Sequence, residues 1–145
     1  MRPSFFYRNV VLQFIYMKKS YYFFIALTGL VVDQLIKNFV ISVPQFNEQV
    51  FINKNFAWNL PVENHAIVVI MIFVIIGLIF LMTQKSLPII WIIVAGALSN
   101  LIDRVLFGGV IDYIHTPLGG IINLADIMIS LGVVLIILDS RKIKI

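Results

Sequence analysis

The sequence predicts an all-α membrane protein with four transmembrane helices, both termini in the cytoplasm and a small extended element in the first outer loop. Hydrophobic residues make up 61% of the 145 residues and charged residues only 12%, with a mean hydropathy of +1.01. A soluble domain of this size cannot bury that much apolar surface. The apolar residues also fall into four segments, and basic residues flank these segments on one side.

Each predicted span is close to the ~20 residues that cross the hydrocarbon core of a bilayer. The four spans are Tyr21–Val43, Ala66–Met82, Leu87–Leu101 and Leu124–Leu138. The second and third are joined by only Thr83–Ser86, so they are predicted to form a tight helical hairpin. No change of composition marks a domain boundary, and residues 1–145 are therefore predicted to form a single domain.

The basic residues predict the orientation of these spans. Lys18 and Lys19 precede the first span, Lys85 lies in the short connection, and residues 141–144 add three more after the fourth span. Cytoplasmic flanks are enriched in such residues, so both termini and the short connection are predicted to be cytoplasmic. The net charge of +4 is accordingly assigned to contact with anionic lipid and not to nucleic acid, which needs a basic patch on one folded surface.

Two segments outside the spans carry predictions of their own. Residues 1–16 are aromatic and basic, and Met17 is itself a plausible start, so residues 1–16 are interpreted as an interfacial extension or as the product of an upstream start. They do not resemble a cleaved signal peptide, because no small-residue cleavage site precedes the first span. In the first outer loop, residues 50–60 alternate in a pattern that predicts a short strand able to position an extended peptide. Phe56 and Trp58 in this loop would suit the headgroup zone.

Ionisable side chains in or beside membrane spans are costly, so they usually face protein or water and serve a function. Asp33 and Lys37 are four residues apart on one helix face, which favours a structural ion pair that lets Lys37 reach the outer interface. The end of the third span carries Ser99, Asn100, Asp103 and Arg104. Asn100 and Arg104 share a face with Gly96, a small residue that allows close helix packing. A structural clamp and a substrate contact are equally open interpretations of this cluster.

A third polar cluster contains Asp112, in the sequence VIDYI, and Asp126, in the sequence NLAD. Asn123 and Asp126 have the spacing of a helix-capping pair, so a capped fourth span explains NLAD equally well on its own. Ser130 continues the same helix face into the bilayer, which favours a polar-lined cavity. Asp112 lies among apolar residues, and taken alone it would most often be a turn residue.

Two carboxylates that meet at the membrane interface can act together as a general acid and a general base. Because both cannot ionise at once, they hold a single proton between them. The ionised member can take a proton from water while the protonated member donates to a carbonyl oxygen, which hydrolyses an amide without a metal or a Ser or Cys nucleophile. The dipole at a helix N-terminus favours a charged carboxylate. We therefore predict Asp126 as the ionised member and Asp112 as the proton carrier.

Five short boxes between Lys18 and Leu138 carry a resemblance to the signal peptidase II family. They are DQLIK at 33–37, NKNFAW at 53–58, GALSNLIDR at 96–104, VIDY at 110–113 and NLAD at 123–126. These resemble the family's D-Q-x-x-K, N-x-G-x-A-F, G-A-x-G-N-x-x-D-R, V-V-D-F and N-x-A-D, in the same order. Each box is weak by itself, but five in order on a four-span topology are a specific resemblance.

The resemblance implies an aspartic endopeptidase of the bacterial inner membrane, with its active site at the outer face. By this matching, Asp112 and Asp126 are catalytic, Asn53, Asn100, Arg104 and Asn123 shape the site and bind substrate, and Asp33, Lys37 and Asp103 are structural. The implied substrate is a prolipoprotein whose lipobox Cys carries diacylglycerol, cleaved just before that Cys. We expect membrane lipid as a further partner, no cofactor or metal, and a monomer.

Four residues depart from the family's pattern. Asn55 and Ser99 stand where Gly is usual, Ile122 stands where an aromatic residue is usual, and His115 stands where a second acid is common. Asn55 tolerates left-handed backbone better than most residues other than Gly. None of the four belongs to the carboxylate pair, so the departures bear on loop geometry and substrate preference.

Three alternatives explain the same sequence less well. A Ser–His hydrolase would use Ser99 or Ser130 with His65 or His115, but neither Ser lies in a nucleophile elbow. A zinc protease lacks its H-E-x-x-H motif. The alternative from another class is a small proton-coupled carrier or assembly factor that uses the acidic residues as relay groups. Acids spread across the depth of the membrane would favour that alternative.

Overall fold

The protein is described by a computed structural model over residues 19–47, 50–55, 63–85, 87–117 and 119–140. In chain order the elements are α1 (Lys19–Ser42), α2 (Pro44–Asn47), β1 (Phe51–Asn53), α3 (Asn64–Lys85), α4 (Ile90–Phe107), β2 (Val110–Asp112), β3 (Ile114–His115), β4 (Ile121–Ile122) and α5 (Leu124–Ser140). The predictions for residues 1–16, for Lys18, for Phe56, Trp58 and Leu60, and for residues 141–144 lie outside the described residues.

The mostly helical architecture agrees with the predicted fold class. Over the described ranges, three helices are long and apolar enough to cross a membrane, namely Lys19–Ser42, Asn64–Thr83 and Ile90–Phe107. They overlap the first three predicted spans, and the first two agree within two residues at each end. The third predicted span, Leu87–Leu101, is displaced: the helix begins at Ile90 and continues to Phe107, so Asp103 and Arg104 lie within it. The fourth predicted span forms the apolar helix Leu124–Leu138 within α5, which is shorter than the other three. A fourth crossing and the orientation of the termini stay predictions.

Helix α4 is the centre of the bundle and packs against α1, α3 and α5. Its close approach to α5 depends on two glycines. A Cβ on Gly96 would lie 2.6 Å from the backbone oxygen of Ala125, and a Cβ on Gly132 would collide with the side chain of Ile93. The packing role predicted for Gly96 is therefore confirmed, because a larger residue would force α5 away from α4.

The distribution of polar and apolar residues is the reverse of that in a soluble protein. Large apolar side chains face outward on α1 and α3, such as Leu35 (64% exposed) and Phe73 (70% exposed). Within the described ranges, the buried polar side chains are Asp33, Lys37, Ser99, Asn100, Asp103, Arg104, Asp112 and Asn123. Lipid solvates such an apolar exterior, and the interior is the place where charged groups find partners.

Two small antiparallel strand pairs lie beside the bundle. β1 pairs with β2, so that Phe51 is opposite Asp112 and Asn53 is opposite Val110, and β3 pairs with β4. The predicted extended element is confirmed for β1, and its partner is the segment that carries Asp112. The sequence did not predict β2, β3, β4 or α2, because elements of two to four residues are too short for periodicity to reveal them.

The strand pairs and the short α3–α4 connection lie at opposite ends of the bundle. Asn64, at the start of α3, donates its side-chain N–H to the backbone oxygen of Arg104 near the end of α4 (3.1 Å). Phe23, near the start of α1, packs edge-to-face on Trp91 at the start of α4, with ring centroids 5.2 Å apart. The N-terminus of α1 and the α3–α4 connection therefore share one end, and β2 follows α4 at the other.

Candidate active site

Strand β2 carries Asp112 into a buried position, where its side chain is only 2% exposed. The side-chain amide of Asn123 donates to Asp112 Oδ1 at 2.7 Å, and the side-chain amide of Asn53 on β1 donates to Asp112 Oδ2 at 3.4 Å. The β1–β2 pairing brings Asn53 to this place. Asp112 is thus held by two neutral amides. Asn53 and Asn123 were both predicted to lie beside the carboxylates, and the structure brings them to Asp112.

Asp126 lies in the first turn of α5, and Asn123 caps that helix. The N–H of Asp126 donates to Asn123 Oδ1 at 2.9 Å, while the N–H of Asn123 donates to Asp126 Oδ2 at 3.3 Å. This reciprocal pair confirms the predicted capping interpretation. The cap and the carboxylate cluster are not alternatives, however, because the other side of the Asn123 amide donates to Asp112. One asparagine joins both carboxylate residues.

Asn100 on α4 connects Asp126 to a lysine on α1. The Asn100 Nδ2 group donates to Asp126 Oδ1 at 2.9 Å, and Asn100 Oδ1 accepts from Lys37 Nζ at 3.0 Å. Lysine has only donors. Lys37 therefore fixes the Asn100 amide with its oxygen toward α1 and its N–H groups toward Asp126.

Behind Asn100 lies a buried ionic cluster formed by Asp33, Lys37 and Asp103. Lys37 Nζ is 2.7 Å from Asp33 Oδ2 and 2.6 Å from Asp103 Oδ2. The predicted ion pair is confirmed, but the prediction that Lys37 reaches the outer interface is wrong, since this side chain is only 1% exposed. Two carboxylates and an amide oxygen compensate the ammonium group for the loss of water, and the bundle interior is therefore a better environment than the interface.

Two polar side chains, one on α4 and one on α1, add hydrogen bonds to this cluster. The Ser99 hydroxyl donates to Asp33 Oδ2 at 2.6 Å, and Gln34 Nε2 donates to Asp103 Oδ1 at 2.9 Å. Ser99 is one of the departures from the family boxes, and its side chain is fully buried. Its hydroxyl is therefore part of the polar core of the bundle.

Arg104 joins three segments at the same end of the molecule. One guanidinium nitrogen donates to the backbone oxygen of Asn55 at 2.8 Å, and the other donates to Asn64 Oδ1 at 3.4 Å. These contacts hold the residues after β1 and the start of α3 against α4. They support the clamp interpretation of Arg104, and its place in a cavity wall leaves a substrate contact open as well.

A cavity of about 550 Å³ opens beside the two carboxylates. Its polar end is formed by Asn53, Asn55, Asn100, Arg104, Asp112 and Asp126. The rest of its wall is apolar and is formed mainly by Ile67, Ile70, Met71, Val74 and Leu78 of α3, with Ile93, Ala97 and Ile129 from α4 and α5. The cavity can therefore receive a largely apolar ligand and present part of it to two carboxylates.

The environment of Asp112 favours its protonated form. Burial raises the pKa of Asp112 to about 6, and the negative charge of Asp126 acts in the same direction. The amides of Asn123 and Asn53 and the charge of Lys37 oppose this rise without cancelling it. Asp112 can therefore hold a proton at a pH where an ordinary aspartate has lost it.

The sequence interpretation missed some residues of this site and misplaced one. Tyr113 donates its hydroxyl to Asp33, yet an aromatic residue in an apolar run gives no signal of such a contact. Gln34 and Asn64 could have been found from the sequence. Gln34 is a polar residue within a predicted span, and Asn64 is a polar residue just before another. Ser130 was predicted to extend a polar-lined cavity, but it is exposed on α5 and is not part of the cavity wall. The helix face that turns to the cavity carries Ile129 instead.

The alternatives from the sequence gain no support from the geometry. Among the described residues, no hydrogen bond joins Ser99 or Ser130 to His65 or His115, and the Ser99 hydroxyl donates to Asp33 instead. The four acids named for a proton relay, Asp33, Asp103, Asp112 and Asp126, are gathered at one end of the bundle. They are not spread over its length, which was the feature that favours a carrier.

Comparison with known families decides the relationship. The family model of signal peptidase II matches residues 25–142, a range that includes all five boxes. The chain belongs to the signal peptidase II family. It is therefore related to proteases, and its apolar helices agree with a multi-pass membrane protein.

Relatives within the signal peptidase II family match over most of their length. A lipoprotein signal peptidase of Listeria welshimeri is 33% identical over 152 aligned residues, which cover 86% of this chain and 97% of the relative. One from Staphylococcus carnosus is 30% identical over 162 aligned residues, covering 89% and 100%. A solved structure of a bacterial membrane enzyme superposes with a TM-score of 0.71 at 28% identity, covering 85% of this chain and 88% of that one.

Proposed function

We propose that this chain is an aspartic endopeptidase that removes the signal peptide from diacylglyceryl-modified prolipoproteins, cleaving just before the lipidated Cys. Its lipoprotein signal peptidase relatives support the substrate class. The observation that carries the mechanism is the meeting of Asp112 and Asp126 at the polar end of an apolar cavity. Each of the two carboxylates is held by amide groups, and neither has a salt bridge in the described structure.

In the proposed reaction Asp126 is the base and Asp112 is the acid. Asp126 accepts hydrogen bonds from the Asn100 side chain and from the backbone N–H of Asn123 at the start of α5. It takes a proton from a water molecule, whose oxygen attacks the scissile carbonyl carbon while Asp112 donates its proton to the carbonyl oxygen. When the tetrahedral intermediate collapses, Asp112 takes back a proton from a hydroxyl of the intermediate and Asp126 gives its proton to the departing amine of the Cys.

The remaining polar residues of the cavity are proposed to hold the substrate. Asn53 and Arg104 present an amide and a guanidinium group next to Asp112, and both groups can donate to backbone carbonyls. The apolar wall suits the hydrophobic part of a signal peptide or its lipid. A lipid anchor also keeps the scissile bond at one depth of the bilayer, so that much of the orientation is achieved before binding.

The proposed topology has four crossings, both termini in the cytoplasm and the carboxylate pair at the outer face of the bacterial inner membrane. Asp112 and Asp126 lie at the end of the bundle opposite the start of α1 and the α3–α4 connection. The basic residues Lys19 and Lys85 belong to those two places, and such residues favour the cytoplasmic side. The chain is proposed to act as a monomer, because both carboxylates come from the same chain.

The test uses the purified full chain in liposomes with a diacylglyceryl-modified prolipoprotein, and signal-peptide release is followed by mass spectrometry. We expect cleavage just before the modified Cys, and little or none of the same precursor without the lipid. Equal rates on both precursors would contradict the substrate assignment. Activity that survives in Asp112→Asn or Asp126→Asn would contradict the mechanism.

A further inference from the structure

Tyr113, the residue after Asp112, links three parts of the polar core. Its hydroxyl donates to Asp33 Oδ1 on α1 at 2.8 Å and accepts from the backbone N–H of Leu124 at 3.2 Å. Leu124 is the first residue of α5, two positions before Asp126. A single phenol therefore ties the segment that carries Asp112 and the helix start that carries Asp126 to one carboxylate of α1.

Asp33 is a well-fixed anchor for this link. Its side chain is 0% exposed, and its other oxygen already accepts from Ser99 and pairs with Lys37. Burial, together with the hydrogen bond to Asp33 and its negative charge, raises the pKa of Tyr113 well above its usual value. The phenol therefore stays protonated in the neutral pH range, so its hydrogen bond to Asp33 does not depend on pH there.

Tyr113 itself does not form part of the described cavity wall, whereas its neighbour Asp112 does. A substrate in the cavity would touch the Asp112 carboxylate and not the phenol. Any influence of the Tyr113 hydroxyl on the reaction is therefore indirect and acts through the groups that hold Asp112 and Asp126. The family box V-V-D-F has no hydroxyl at this place, so the link belongs to this chain and not to the family pattern.

We propose that Tyr113 is a positioning residue, whose hydroxyl holds the Asp112 segment and the first turn of α5 at the separation where the two carboxylates can share a proton. This inference rests on the proposed function, because it takes the Asp112–Asp126 pair as the reacting groups. Without the hydroxyl the two segments lose their common anchor on α1. The Asp112 segment keeps the hydrogen bond from the Ile111 N–H to Asp103 on α4, but it is then freer to shift relative to the start of α5.

Tyr113→Phe tests the inference because it removes one oxygen atom and keeps the ring. We expect kcat for signal-peptide release to fall about tenfold, since small displacements of reacting groups have large effects on rate, while KM stays within about twofold. The basic limb of the pH profile of kcat should also move to lower pH. Burial and the charge of Asp126 keep Asp112 protonated, and both effects weaken if the pair separates.

This variant changes no other charged group near Asp112. Lys37 on α1 and Arg104 on α4 interact electrostatically with Asp112. Asp33 and Asp103 contact the residues on either side of it, Tyr113 and Ile111. Tyr21→Phe is a matched control, because Tyr21 is 52% exposed near the start of α1 at the far end of the bundle. Its kcat and pH profile should equal those of the wild type.

Ser99→Ala separates positioning from general stability. It removes a hydroxyl from the other oxygen of the same Asp33, but Ser99 is not next to either member of the pair. We expect Ser99→Ala to lower the unfolding temperature without moving the basic limb. If Tyr113→Phe likewise lowers only the unfolding temperature, with unchanged kcat for the folded protein and an unmoved limb, the positioning role is wrong and the hydroxyl is merely structural.

The outcome can be told apart from a failure of the proposed function. If Asp112→Asn and Asp126→Asn are inactive while Tyr113→Phe behaves like the wild type, the inference about Tyr113 alone is overturned. If either Asn variant is active, the proposed function fails first. Should Tyr113→Phe fold poorly, cleavage by the fraction of protein that remains folded, measured over the same pH range, still reports the position of the limb.

Discussion

Two groups of buried carboxylates lie side by side in this molecule, and they are compensated in different ways. Asp33 and Asp103 are 0% exposed, and each is within 2.7 Å of the ammonium group of Lys37. Asp112 and Asp126 have amide donors instead and face a cavity. A carboxylate neutralised by a cation has no proton to transfer, whereas one that shares a proton with a second carboxylate does. The comparison separates a structural ion cluster from the proposed reacting pair, although the residue types are the same.

The largest expected effect is on activity, in the proposed reacting pair of Asp112 and Asp126. Asp112→Asn or Asp126→Asn should lower signal-peptide release by about 10³-fold, because each removes a proton-transferring group from the transition state. The variants should remain folded, since asparagine keeps the shape and an oxygen that can accept from Asn123 or Asn100. The measurement is initial rate on a lipidated prolipoprotein, with circular dichroism and thermal unfolding as checks of folding.

The matched control for this prediction is Asp103→Asn in the ion cluster. It removes a carboxylate of the same kind, but Asp33 still compensates Lys37. The remaining side-chain oxygen can still accept from the backbone N–H of Ile111 beside Asp112. We expect reduced stability together with at least about a tenth of the wild-type rate in the folded fraction. An Asp103→Asn variant as inactive as Asp112→Asn would mean that the two groups do not differ in the way proposed.

The next largest effect is on stability, in the ion cluster. Lys37→Met leaves two buried carboxylates without their cation and should lower the free energy of unfolding by about 3–5 kcal/mol. Denaturant titration in detergent micelles measures this. The triple variant that adds Asp33→Asn and Asp103→Asn removes the uncompensated charges and should recover part of the loss. A loss below about 1 kcal/mol in Lys37→Met would show that the cluster is not held by its cation.

The sequence was informative about this site where the constraint was local. Asn123 and Asp126 have helix-cap spacing, and the cap is formed as predicted. The ion pair between Asp33 and Lys37 was likewise visible as i,i+4 spacing on an apolar helix. In both cases the partners belong to one helix turn, and helix geometry alone brings them together.

The sequence was less informative where partners come from different elements. The third member of the ion cluster, Asp103, lies on another helix, so the interior position of Lys37 could not be derived from spacing. The same holds for Tyr113, which reaches Asp33 across 80 positions of sequence. Short strands such as β2 have no periodicity of their own, and their pairing is determined by the helices around them.

A third prediction concerns the packing that brings α5, with Asp126, against α4, with Asn100. Gly96→Ala places a Cβ 2.6 Å from the backbone oxygen of Ala125 and should lower the free energy of unfolding by about 1–3 kcal/mol. Activity should fall too, because the Asn100–Asp126 contact lies one helix turn away. Gly77→Ala in α3 is the matched control, since nothing lies within 4 Å of its added Cβ. Gly77→Ala should leave the free energy of unfolding unchanged or raise it slightly, because alanine favours the helix and meets no neighbour. Equal losses of stability in the two variants would argue against close α4–α5 packing.

The smallest expected effect is the pH dependence of stability that the reacting pair contributes. The pKa of Asp112 is raised from 3.8 to about 6 on folding, so the folded state binds this proton more tightly than the unfolded state. The resulting stabilisation is complete below about pH 4 and is lost as the pH rises to about 6. The unfolding temperature of the wild type relative to Asp112→Asn should thus fall by a few degrees over this range and then level off. Because the variant shares every other titrating group, a difference that stays flat or rises between pH 4 and 6 would mean that Asp112 does not hold the proton.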